Sequence, residues 1–583
     1  MSPAGSGRAE PRLLRPPAPK WEPPPTSEPG RVRELIEALR LPEPVCALLS
    51  IRGRSAVEEA KRFLRPKMEQ LSDPILLADG LIAANRIAQA IQDDEKIFIH
   101  GDYDVDGICA TALLTQWVKS LGGSVTPFVP HRVRDGYDFS DNGLAAARAV
   151  GATLLITVDC GTMAHETIAE ARGVGIDVIV TDHHTVGGDL PGAFAVVNPQ
   201  RPDCEYPDKG LCGTAVAFRL GELVGRELGV DLVDLYDMLD LVALASVADL
   251  VPLSGENRIL VAFGLKRLSN TKSVGLRALL GVAGVSPGKV TAGRIGYQIA
   301  PRINAVGRIG AASDALTLLL SDDSVEAHQL ATVLDQANCD RRDEDQRTLD
   351  QALEDLAVSF DPNKDFGVVL AQRGWHPGVV GIVASRVVER IHRPVVVVAV
   401  EGDKGRGSAR SISGFNLYEA IAECSKHLTR FGGHQQAAGI EISAGELEAF
   451  RLAFNEAARS RLTHHSLQPV LSPDLDIKLE DVDLELVHWL SYLGPHGIGN
   501  PTPVFRVQGV GVRASHIVGE NHLKAELTTS RTRLDAIGFG LADRFDLDSL
   551  SSGKWDVLFR LERNEWQGKV RVQALLSDLR PTS

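Results

Sequence analysis

Residues 96–107 read KIFIHGDYDVDG: a short apolar run leads into three aspartates at alternate positions, and the helix-like segment ICATALLTQWVKSLG follows at 108–122. An apolar run that ends in aspartate recurs at 152–161 (ATLLITVDCG) and at 176–184 (IDVIVTDHH). The segment AHETIAEARGVG at 164–175 lies between them and is typical of a crossover helix. Continuous apolar strands that alternate with helices are typical of a parallel sheet covered on both faces. The stretch therefore predicts an α/β fold with a doubly wound parallel sheet.

The pattern changes along the chain and predicts five segments. A proline-rich start without apolar periodicity indicates a disordered leader, and a charged stretch with few breakers indicates one long solvated helix. A second strand–helix series and a final run of short strands indicate another α/β domain and a closed β-barrel. In order, the segments are the leader (1–30), N-terminal helices with the first α/β domain (31–310), the connecting helix (311–360), the second α/β domain (361–465) and the barrel (466–583).

Composition excludes several classes of protein. The 583 residues suffice for three or four domains, and 44% apolar with 24% charged residues excludes global disorder. The chain lacks an apolar run of about 18 residues and an apolar secretory core, so we expect no membrane partner and no export. Seven scattered cysteines without a CxxC pair suit a reducing cytoplasm. The net charge of −14 argues against a nucleic-acid coat protein but permits a local basic groove.

Acidic and imidazole side chains follow several of the predicted strands. Asp102, Asp104 and Asp106 would repel one another along a strand, whereas in a loop they can converge on a cation. The alternative is a solvated acidic turn in which Asp106 caps the following helix. Further candidates at the ends of elements are Asp159, Asp182, His183, His184 and Asp249.

The number and type of these side chains predict a dinuclear metal site. Parallel strands place their carboxyl ends at the ligand crevice of a doubly wound sheet. Carboxylates with one or two imidazoles and no thiolate favour Mn²⁺ or Mg²⁺ over zinc. The ligands are too many for one ion, and two ions about 3.5–4 Å apart activate a water for in-line attack on phosphorus.

The motifs around these side chains resemble those of a known family. HGDYDVDG, VDCG, TDHH and SVADLVPL resemble the four motifs of the DHH phosphoesterases, and GRGSARS with FGGHQQAAG resembles their DHH-associated substrate domain. Together with a barrel that resembles an oligonucleotide-binding fold, the order is similar to that of family members that digest single-stranded DNA from the 5′ end. The resemblance covers roughly residues 80–580 and leaves the leader outside it.

The resemblance implies roles for individual residues. It implies that Asp159 bridges two ions, that either Asp102 or His100 completes the ligand shell, and that His184 contacts the scissile phosphate. Asp182 would orient a histidine ligand. The metal ligands carried over from the motifs are Asp104, Asp106, Asp159, His183 and Asp249.

Further side chains are candidate contacts to the DNA strand. Each has an alternative role, since a single arginine is as readily a partner in a surface salt bridge and a glycine pair can serve close packing. The set comprises Ser408 and Arg410 in a glycine-rich turn, Arg132, Arg302 and Arg308 in loop-like segments, and Gly433 with His434. In the barrel, stacking platforms or core positions are predicted for Phe505, Trp555, Phe559 and Trp566. Cys109 and Cys160 adjoin the motifs but lack a base partner, so we interpret both as packed residues.

The motifs predict a metal-dependent nuclease. The resemblance implies that it is an exonuclease that releases 5′-mononucleotides from the 5′ end of single-stranded DNA in repair and recombination, since the residues themselves do not encode polarity or strand preference. The resemblance also implies a monomer that works with a single-stranded-DNA-binding protein and a RecQ-type helicase. One alternative is a DHH phosphodiesterase for oligoribonucleotides or cyclic dinucleotides, although such relatives lack the barrel. Another is a non-catalytic replication scaffold, which we would expect to have lost motif aspartates. Because residues 468–580 carry none of the metal constellation, chemistry is expected to survive without them.

Overall fold

The computed structural model describes residues 16–131, 135, 138–566 and 568–582. The chain divides into a larger unit (residues 23–335 and 472–582) and a smaller unit (residues 16–22 and 336–471). Among the described residues, no helix combines the length and the apolar character needed to span a bilayer.

The first element of the smaller unit is a short strand in the predicted leader. Strand β1 (Lys20–Trp21) pairs in parallel with residues 470–471, with the Lys20 amide donating to the Pro469 carbonyl at 2.8 Å. Residues 1–15 of that leader lie outside the described part of the chain. Composition does not predict β1, because its stabilising partner lies some 450 residues further along the chain.

Three N-terminal helices of the larger unit pack on the barrel. They are α1 (Pro29–Leu39), α2 (Glu43–Ile51) and α3 (Val57–Leu64). Their buried side chains, among them Leu35 and Leu48, belong to the same apolar core as Phe505 and Phe559 of the barrel. The sequence pattern instead groups these helices with the first α/β domain. Helix α4 (Gly80–Gln92) follows them and packs near the parallel sheet.

A five-stranded parallel sheet forms the centre of the larger unit. Its order is β3–β2–β4–β5–β6, and every neighbouring pair is parallel. The strand order therefore reverses between β2 and β4, which is where such sheets open a ligand crevice. The doubly wound sheet predicted from the sequence is confirmed. The strands are β2 (Lys96–His100), β3 (Ser124–Phe128), β4 (Leu154–Val158), β5 (Asp177–Thr181) and β6 (Ala195–Val197), and the helices between them are α5 (Val105–Ser120), α6 (Asp141–Ala149) and α7 (His165–Gly173).

A series of helices follows the sheet. They are α8 (Gly213–Glu227), α9 (Val233–Asp237), α10 (Leu239–Ala248), α11 (Gly255–Leu268), α12 (Val274–Val282), α13 (Ala292–Arg294), a π-helical turn (Ile295–Ile299), α14 (Ala300–Ile309), α15 (Ala312–Leu320) and α16 (Ser324–Ser359).

The prediction of a single helix over 311–360 is wrong in one respect. The structure has a long helix, α16, but a separate short helix, α15, precedes it. Between them, the Asp323 carboxylate accepts hydrogen bonds from the amides of Val325 and Glu326 at 2.6 and 3.1 Å. The Ser321 hydroxyl also donates to the Glu326 carboxylate at 2.5 Å. This capping starts a new helix within a segment whose charge pattern alone looks continuous.

The smaller unit contains a mixed five-stranded sheet of order β10–β11–β9–β8–β7, in which only β7 and β8 are parallel. Its elements are β7 (Val368–Arg373), α17 (Val380–Ile391), β8 (Val395–Glu401), β9 (Lys404–Arg410), α18 (Leu417–Glu423), β10 (Arg430–Gly433), β11 (Ala437–Ser443), α19 (Leu447–Arg461) and β12 (Val470–Leu471).

The glycine-rich turn predicted around residues 404–410 is instead the central strand β9. A Cβ atom at Gly405 would lie 2.8 Å from Val398 Cγ1, and one at Gly407 would lie 2.7 Å from Ile440 Cγ1. These glycines therefore make room for side chains of the neighbouring strands rather than for a turn.

The C-terminal part of the larger unit is the predicted barrel. Strands β14, β15, β16, β18 and β17 pair in that order, and β14 pairs with β17 to close the ring. Phe505, Trp555 and Phe559 are buried in its core, so they do not offer stacking surfaces, and the side chain of Trp566 lies outside the described residues. The elements are β13 (Leu475–Asp476), α20 (Leu484–Ser491), β14 (Phe505–Val518), β15 (His522–Thr528), β16 (Arg533–Gly538), α21 (Leu547–Ser552), β17 (Lys554–Trp566) and β18 (Lys569–Pro581).

Candidate metal centre

The aspartate-rich loop after β2 leads directly into α5. The Asp104 carboxylate caps this helix by accepting hydrogen bonds from the amides of Asp106 at 2.9 Å and Gly107 at 3.1 Å. Asp104, rather than Asp106, is therefore the capping residue. A Cβ at Gly107 would lie 2.4 Å from the Asp102 amide nitrogen, so glycine allows the loop to fold back against the helix.

The first turn of α8 holds the Asp106 carboxylate. One carboxylate oxygen accepts from the Gly213 amide at 2.6 Å, and the other accepts from the Thr214 amide at 2.7 Å and the Thr214 hydroxyl at 2.6 Å. The side chain is buried. These hydrogen bonds join two segments that are more than a hundred residues apart and fix the direction of one candidate ligand.

Asp159 lies at the end of β4 in a strained backbone conformation, with φ at +60°. Gly213 permits its position, since a Cβ there would lie 2.7 Å from Asp159 Cβ. His183 Nε2 lies 3.1 Å from Asp159 Oδ1 and 3.7 Å from both Asp106 Oδ2 and Asp249 Oδ2. His183 is therefore surrounded by three carboxylates from different elements.

The candidate ligands form three overlapping groups, each with its ligand atoms within 4.8 Å of one another. Asp159 and His183 each belong to two of these groups and link them, since His183 Nε2 lies 3.1 Å from Asp159 Oδ1. A carboxylate has two oxygens and can bridge two ions, whereas one imidazole nitrogen binds a single ion. Asp159 Oδ1 and His183 Nε2 are buried and have no hydrogen-bond partner among the described residues, so both are available to a cation. The groups are Asp102–Asp104–Asp159, Asp106–His183–Asp249 and Asp159–His183–His184.

The electrostatics of the centre also fit a cation. Burial, and then the charges on Asp106 and Asp104, raise the pKa of Asp159 well above its usual value. The same two causes raise the pKa of Asp249 to about 8. Carboxylates so close together need either protons or a multivalent cation to remain in place.

Asp102 and His100, the two alternatives for the last ligand, have different surroundings. His100 is fully buried, its ring centroid lies 5.2 Å from those of Phe128 and Phe139, and burial lowers its pKa to about 4. It belongs to none of the three groups, whereas Asp102 belongs to one. The geometry favours Asp102 as the candidate ligand and leaves His100 as a packed residue beneath the loop.

Asp182 and His184 form a hydrogen-bonded pair beside these groups. His184 Nδ1 lies 2.7 Å from the Asp182 carboxylate, which also accepts from the amides of His183 at 2.7 Å and Thr162 at 3.1 Å. Burial raises the pKa of Asp182, but the hydrogen bond and charge of His184 outweigh it and hold that pKa below its usual value. Burial lowers the pKa of His184, but the hydrogen bond to Asp182 and that carboxylate's charge raise it to about 9. His184 is therefore protonated at neutral pH, and 45% of its side chain is exposed.

Sequence reasoning missed three residues that support this site. Thr214 holds Asp106, and Asn198 Nδ2 donates to the His184 carbonyl at 2.9 Å and to Thr162 Oγ1 at 3.1 Å. Asp138 accepts a hydrogen bond from the Gly161 amide at 2.7 Å. None of the three has a motif spacing that could have predicted its role.

The predicted strand contacts fall in both units, and several lie on elements other than those predicted. Arg302 and Arg308 lie on helix α14 of the larger unit rather than in loops, and the Arg302 guanidinium pairs with Asp335 at 2.8 Å. Arg132 lies outside the described residues.

Four of the predicted contacts belong to the smaller unit. Ser408 and Arg410 lie on strand β9 rather than in a turn, and Gly433 ends β10, directly before His434. Arg410 Nη1 donates to Ser408 Oγ at 2.9 Å.

The cysteines near the motifs are packed residues, as predicted. Cys109 and Cys160 are both buried, and burial raises the pKa of each thiol well above its usual value. Neither thiol is therefore a nucleophile at neutral pH.

Comparisons with known proteins agree with this geometry. Three family profiles match the chain: "DHH family, N-terminal domain" over residues 96–246, "DHHA1 domain" over 364–460 and "RecJ OB domain" over 473–578. The chain is 37% identical to "Single-stranded-DNA-specific exonuclease RecJ" of Dickeya dadantii over 566 residues, which covers 93% of this chain and 97% of that protein. It is also 37% identical over 552 residues to the Bacillus subtilis protein of the same name, covering 94% of this chain and 69% of that one.

Solved structures add a metal-bound relative. The crystal structure of RecJ in complex with Mn²⁺ from Thermus thermophilus matches with a TM-score of 0.83 and 30% identity, over 97% of this chain and 80% of that one. A second structure, of RecJ with Mg²⁺ from the same organism, matches with a TM-score of 0.77. With DHH, DHHA1 and RecJ OB profiles matching successive parts of the chain, and a relative that is 37% identical over 93% of this chain and 97% of its own length, this chain belongs to the RecJ family of single-stranded-DNA-specific exonucleases.

Proposed function

We propose that this chain is a two-metal exonuclease that hydrolyses phosphodiester bonds of single-stranded DNA from the 5′ end and releases 5′-mononucleotides. The observation that carries the proposal is the convergence of Asp102, Asp104, Asp106, Asp159, Asp249 and His183 on overlapping ligand groups. The RecJ relatives named as single-stranded-DNA-specific exonucleases, and those crystallised with Mn²⁺ or Mg²⁺, support both the substrate and the cofactor.

The ligand groups suggest how two ions would be held. Asp102 and Asp104 would serve one ion, and Asp106, His183 and Asp249 the other. Asp159 would bridge them, because it lies within ligand distance of both groups through Asp104 and His183. Two divalent ions in such a site lower the pKa of a bound water and neutralise charge on the reacting phosphate.

The chain's own residues add a hydrogen-bond donor to this chemistry. Because Asp182 accepts the Nδ1 proton of His184 and raises its pKa to about 9, the imidazolium keeps its second proton on Nε2. That N–H can donate a hydrogen bond to a non-bridging phosphate oxygen as negative charge builds up on it, while the proton stays on Nε2. Asn198, which holds the His184 carbonyl, and Asp182 are positioning residues for this donor.

Each unit carries its own candidate contacts to DNA. In the smaller unit, Ser408 and Arg410 lie close to the first turn of α17, where a Cβ at Gly381 would be 2.9 Å from both side chains. A hydroxyl, a guanidinium and a helix N-terminus together favour a phosphate. Gly433 and His434 in the smaller unit, and Arg132, Arg302 and Arg308 in the larger, are proposed to contact the strand backbone.

The cellular setting of the proposal rests on the family. We place the enzyme in the cytoplasm as a monomer that acts in DNA repair and recombination. A single-stranded-DNA-binding protein and a RecQ-type helicase are its proposed partners, since a duplex must be opened before a single strand can be digested.

The test is a cleavage assay on end-labelled single strands, duplexes and oligoribonucleotides, with and without Mn²⁺. The wild type should release mononucleotides from the 5′ ends of single-stranded DNA, and only with metal. Asp159→Asn should abolish cleavage because it removes the shared ligand.

The matched control is Asp240→Asn, a buried aspartate outside the ligand groups. The asparagine side chain has a similar shape and keeps an oxygen that can accept the hydrogen bond from the Leu241 amide, 2.8 Å from Asp240 Oδ1, so the variant should fold and keep its cleavage activity. Release from 3′ ends, preference for oligoribonucleotides, or full activity of Asp159→Asn would contradict the proposal.

A further inference from the structure

The Asp249 carboxylate is held differently from those of Asp104 and Asp106. Asp104 accepts two backbone hydrogen bonds, and Asp106 is fixed by Gly213 and Thr214. Asp249 accepts no hydrogen bond at its carboxylate from the part of the chain that the structure describes, and its ion-pair partner His183 lies 3.7 Å away. The backbone that carries Asp249 therefore sets the direction of its carboxylate.

That backbone is the turn between α10 and α11. At one end, the Asp249 amide donates to the Ala245 carbonyl at 2.9 Å and so continues helix α10. Near the other end, the Leu253 amide donates to the Ile498 carbonyl at 2.7 Å. Ile498 lies in the segment LGPHGIGN, called here the 493–500 loop, which precedes strand β14 of the barrel.

The 493–500 loop lies unusually close to the turn. A Cβ at Gly499 would be 3.0 Å from Pro252 Cβ, and one at Gly497 would be 2.7 Å from Leu253 Cδ1. Gly499 also has a φ of +72°, a conformation that favours glycine. The two glycines therefore allow the loop backbone to rest directly on Pro252 and Leu253.

Other hydrogen bonds hold the loop itself in place. Asn500 Nδ2 donates to the carbonyls of Leu493 at 2.8 Å and Pro495 at 2.9 Å, which closes the loop. Arg258, in the helix that follows the Asp249 turn, donates to the carbonyls of Leu493 at 2.9 Å and Tyr492 at 3.0 Å. The loop and the turn are thus joined on two sides.

We infer that the 493–500 loop is a positioning element of the metal centre, which holds the Pro252–Leu253 backbone and so directs Asp249 towards His183 and Asp106. The inference rests on the proposed metal role of Asp249. The C-terminal segment that leads into the barrel would then also support the metal centre. Removal of residues 468–580 should then impair cleavage itself, unlike the expectation from the sequence.

The test uses Gly499→Ala in the full-length chain, with Gly509→Ala as its matched control. Both glycines lie near the start of the barrel and have a similar φ, +72° and +67°, but a Cβ at Gly509 would meet nothing within 4 Å. The two alanines share the backbone strain, and only the one at position 499 presses on Pro252.

Mn²⁺ binding to metal-free protein is measured by calorimetry, kcat and KM are measured on single-stranded DNA, and Kd is measured for an uncleavable phosphorothioate strand. Gly499→Ala should weaken Mn²⁺ binding by about 10-fold or more, the usual cost of disturbing a ligand's support. It should lower kcat and leave the Kd for DNA unchanged, whereas Gly509→Ala should match the wild type.

A double-mutant comparison separates positioning from general destabilisation. In an Asp249→Asn background, Gly499→Ala should add no further loss of Mn²⁺ binding, because the ligand it positions is gone. An equal loss in both backgrounds, or a Gly499→Ala protein that binds Mn²⁺ like Gly509→Ala, would overturn the inference. If Asp249→Asn alone binds Mn²⁺ normally, the proposed metal role of Asp249 fails instead.

Should Gly499→Ala not fold, Asn500→Ala makes the same test. It removes the side-chain amide that donates to the Leu493 and Pro495 carbonyls and closes the loop, and it adds no new steric contact. The same two outcomes then support or overturn the inference.

Discussion

Gly213→Ala should damage catalysis through one candidate ligand. The new methyl group would lie 2.7 Å from Asp159 Cβ and 2.8 Å from its Oδ1, whereas ordinary contacts begin at 3.4 Å. Asp159 must therefore move by about 0.7 Å, the difference between 3.4 and 2.7 Å. The substitution keeps the backbone N–H of residue 213, which donates a hydrogen bond to the Asp106 carboxylate. The steric effect is therefore confined to Asp159.

A misplacement of about 1 Å in a catalytic site costs about 10²-fold in rate, so we expect kcat to fall by about 10- to 100-fold. The assay is steady-state cleavage of a 5′-phosphorylated single strand at saturating Mn²⁺, with thermal unfolding measured in parallel. Gly281→Ala in α12 is the control, because its Cβ would meet nothing within 4 Å, and it should keep the wild-type rate. A folded Gly213→Ala protein with the wild-type kcat would refute the argument that Asp159 must stay in place.

Three charged groups, His184, Asp249 and Arg410, allow further predictions. His184→Ala should lower kcat by at least about 10²-fold, as does loss of an oxyanion donor, and leave Mn²⁺ stoichiometry unchanged by calorimetry; loss of both ions would make His184 a ligand instead. Burial and the charge on Asp106 raise the pKa of Asp249 to about 8, so metal must displace a proton. Mn²⁺ affinity should therefore rise between about pH 6 and 9, and the metal-free protein should lose stability as pH rises from about 4 to about 8; a pH-independent affinity would contradict this. Arg410→Ala should reduce the preference for 5′-phosphorylated over 5′-hydroxyl strands by about 10-fold or more, since a charge-assisted bond contributes about 1.5–3 kcal/mol, while Arg406→Ala on the same strand should not; an unchanged ratio in Arg410→Ala would place that side chain elsewhere.

The parallel sheet and most of the metal centre could be predicted because their signals are local. Apolar runs that end in Asp102, Asp159 and Asp182 identify strands, and parallel strands bring their carboxyl ends to one edge. Asp249 follows a helix, so the sheet pattern made it a candidate only by its position at the end of an element, and the resemblance implied its role as a ligand. The choice between His100 and Asp102 could not be made from the sequence, because it depends on packing: the His100 ring lies against Phe128 and Phe139, whereas Asp102 belongs to a ligand group.

What could not be predicted depends on contacts between distant segments. Asp106 is held by Thr214, more than a hundred residues away, and the N-terminal helices complete the core of a barrel at the other end of the chain. The glycines around Ser408 look like a turn in the sequence, yet their spacing serves side chains of neighbouring strands. Phe505 and Phe559 are buried inside the barrel. The sequence could not distinguish this from a surface position, because apolar alternation does not reveal which face of a closed sheet points inward.

The most direct test of the central claim is the anomalous scattering of Mn²⁺ in crystals of the wild-type protein. We expect two ions about 3.5–4 Å apart at the ends of β2, β4 and β5, both in contact with Asp159. One ion should also contact Asp104, and the other should also contact His183, in keeping with the ligand groups described above. A single ion, or Mn²⁺ bound away from Asp159, would contradict the two-metal centre on which the proposed exonuclease depends.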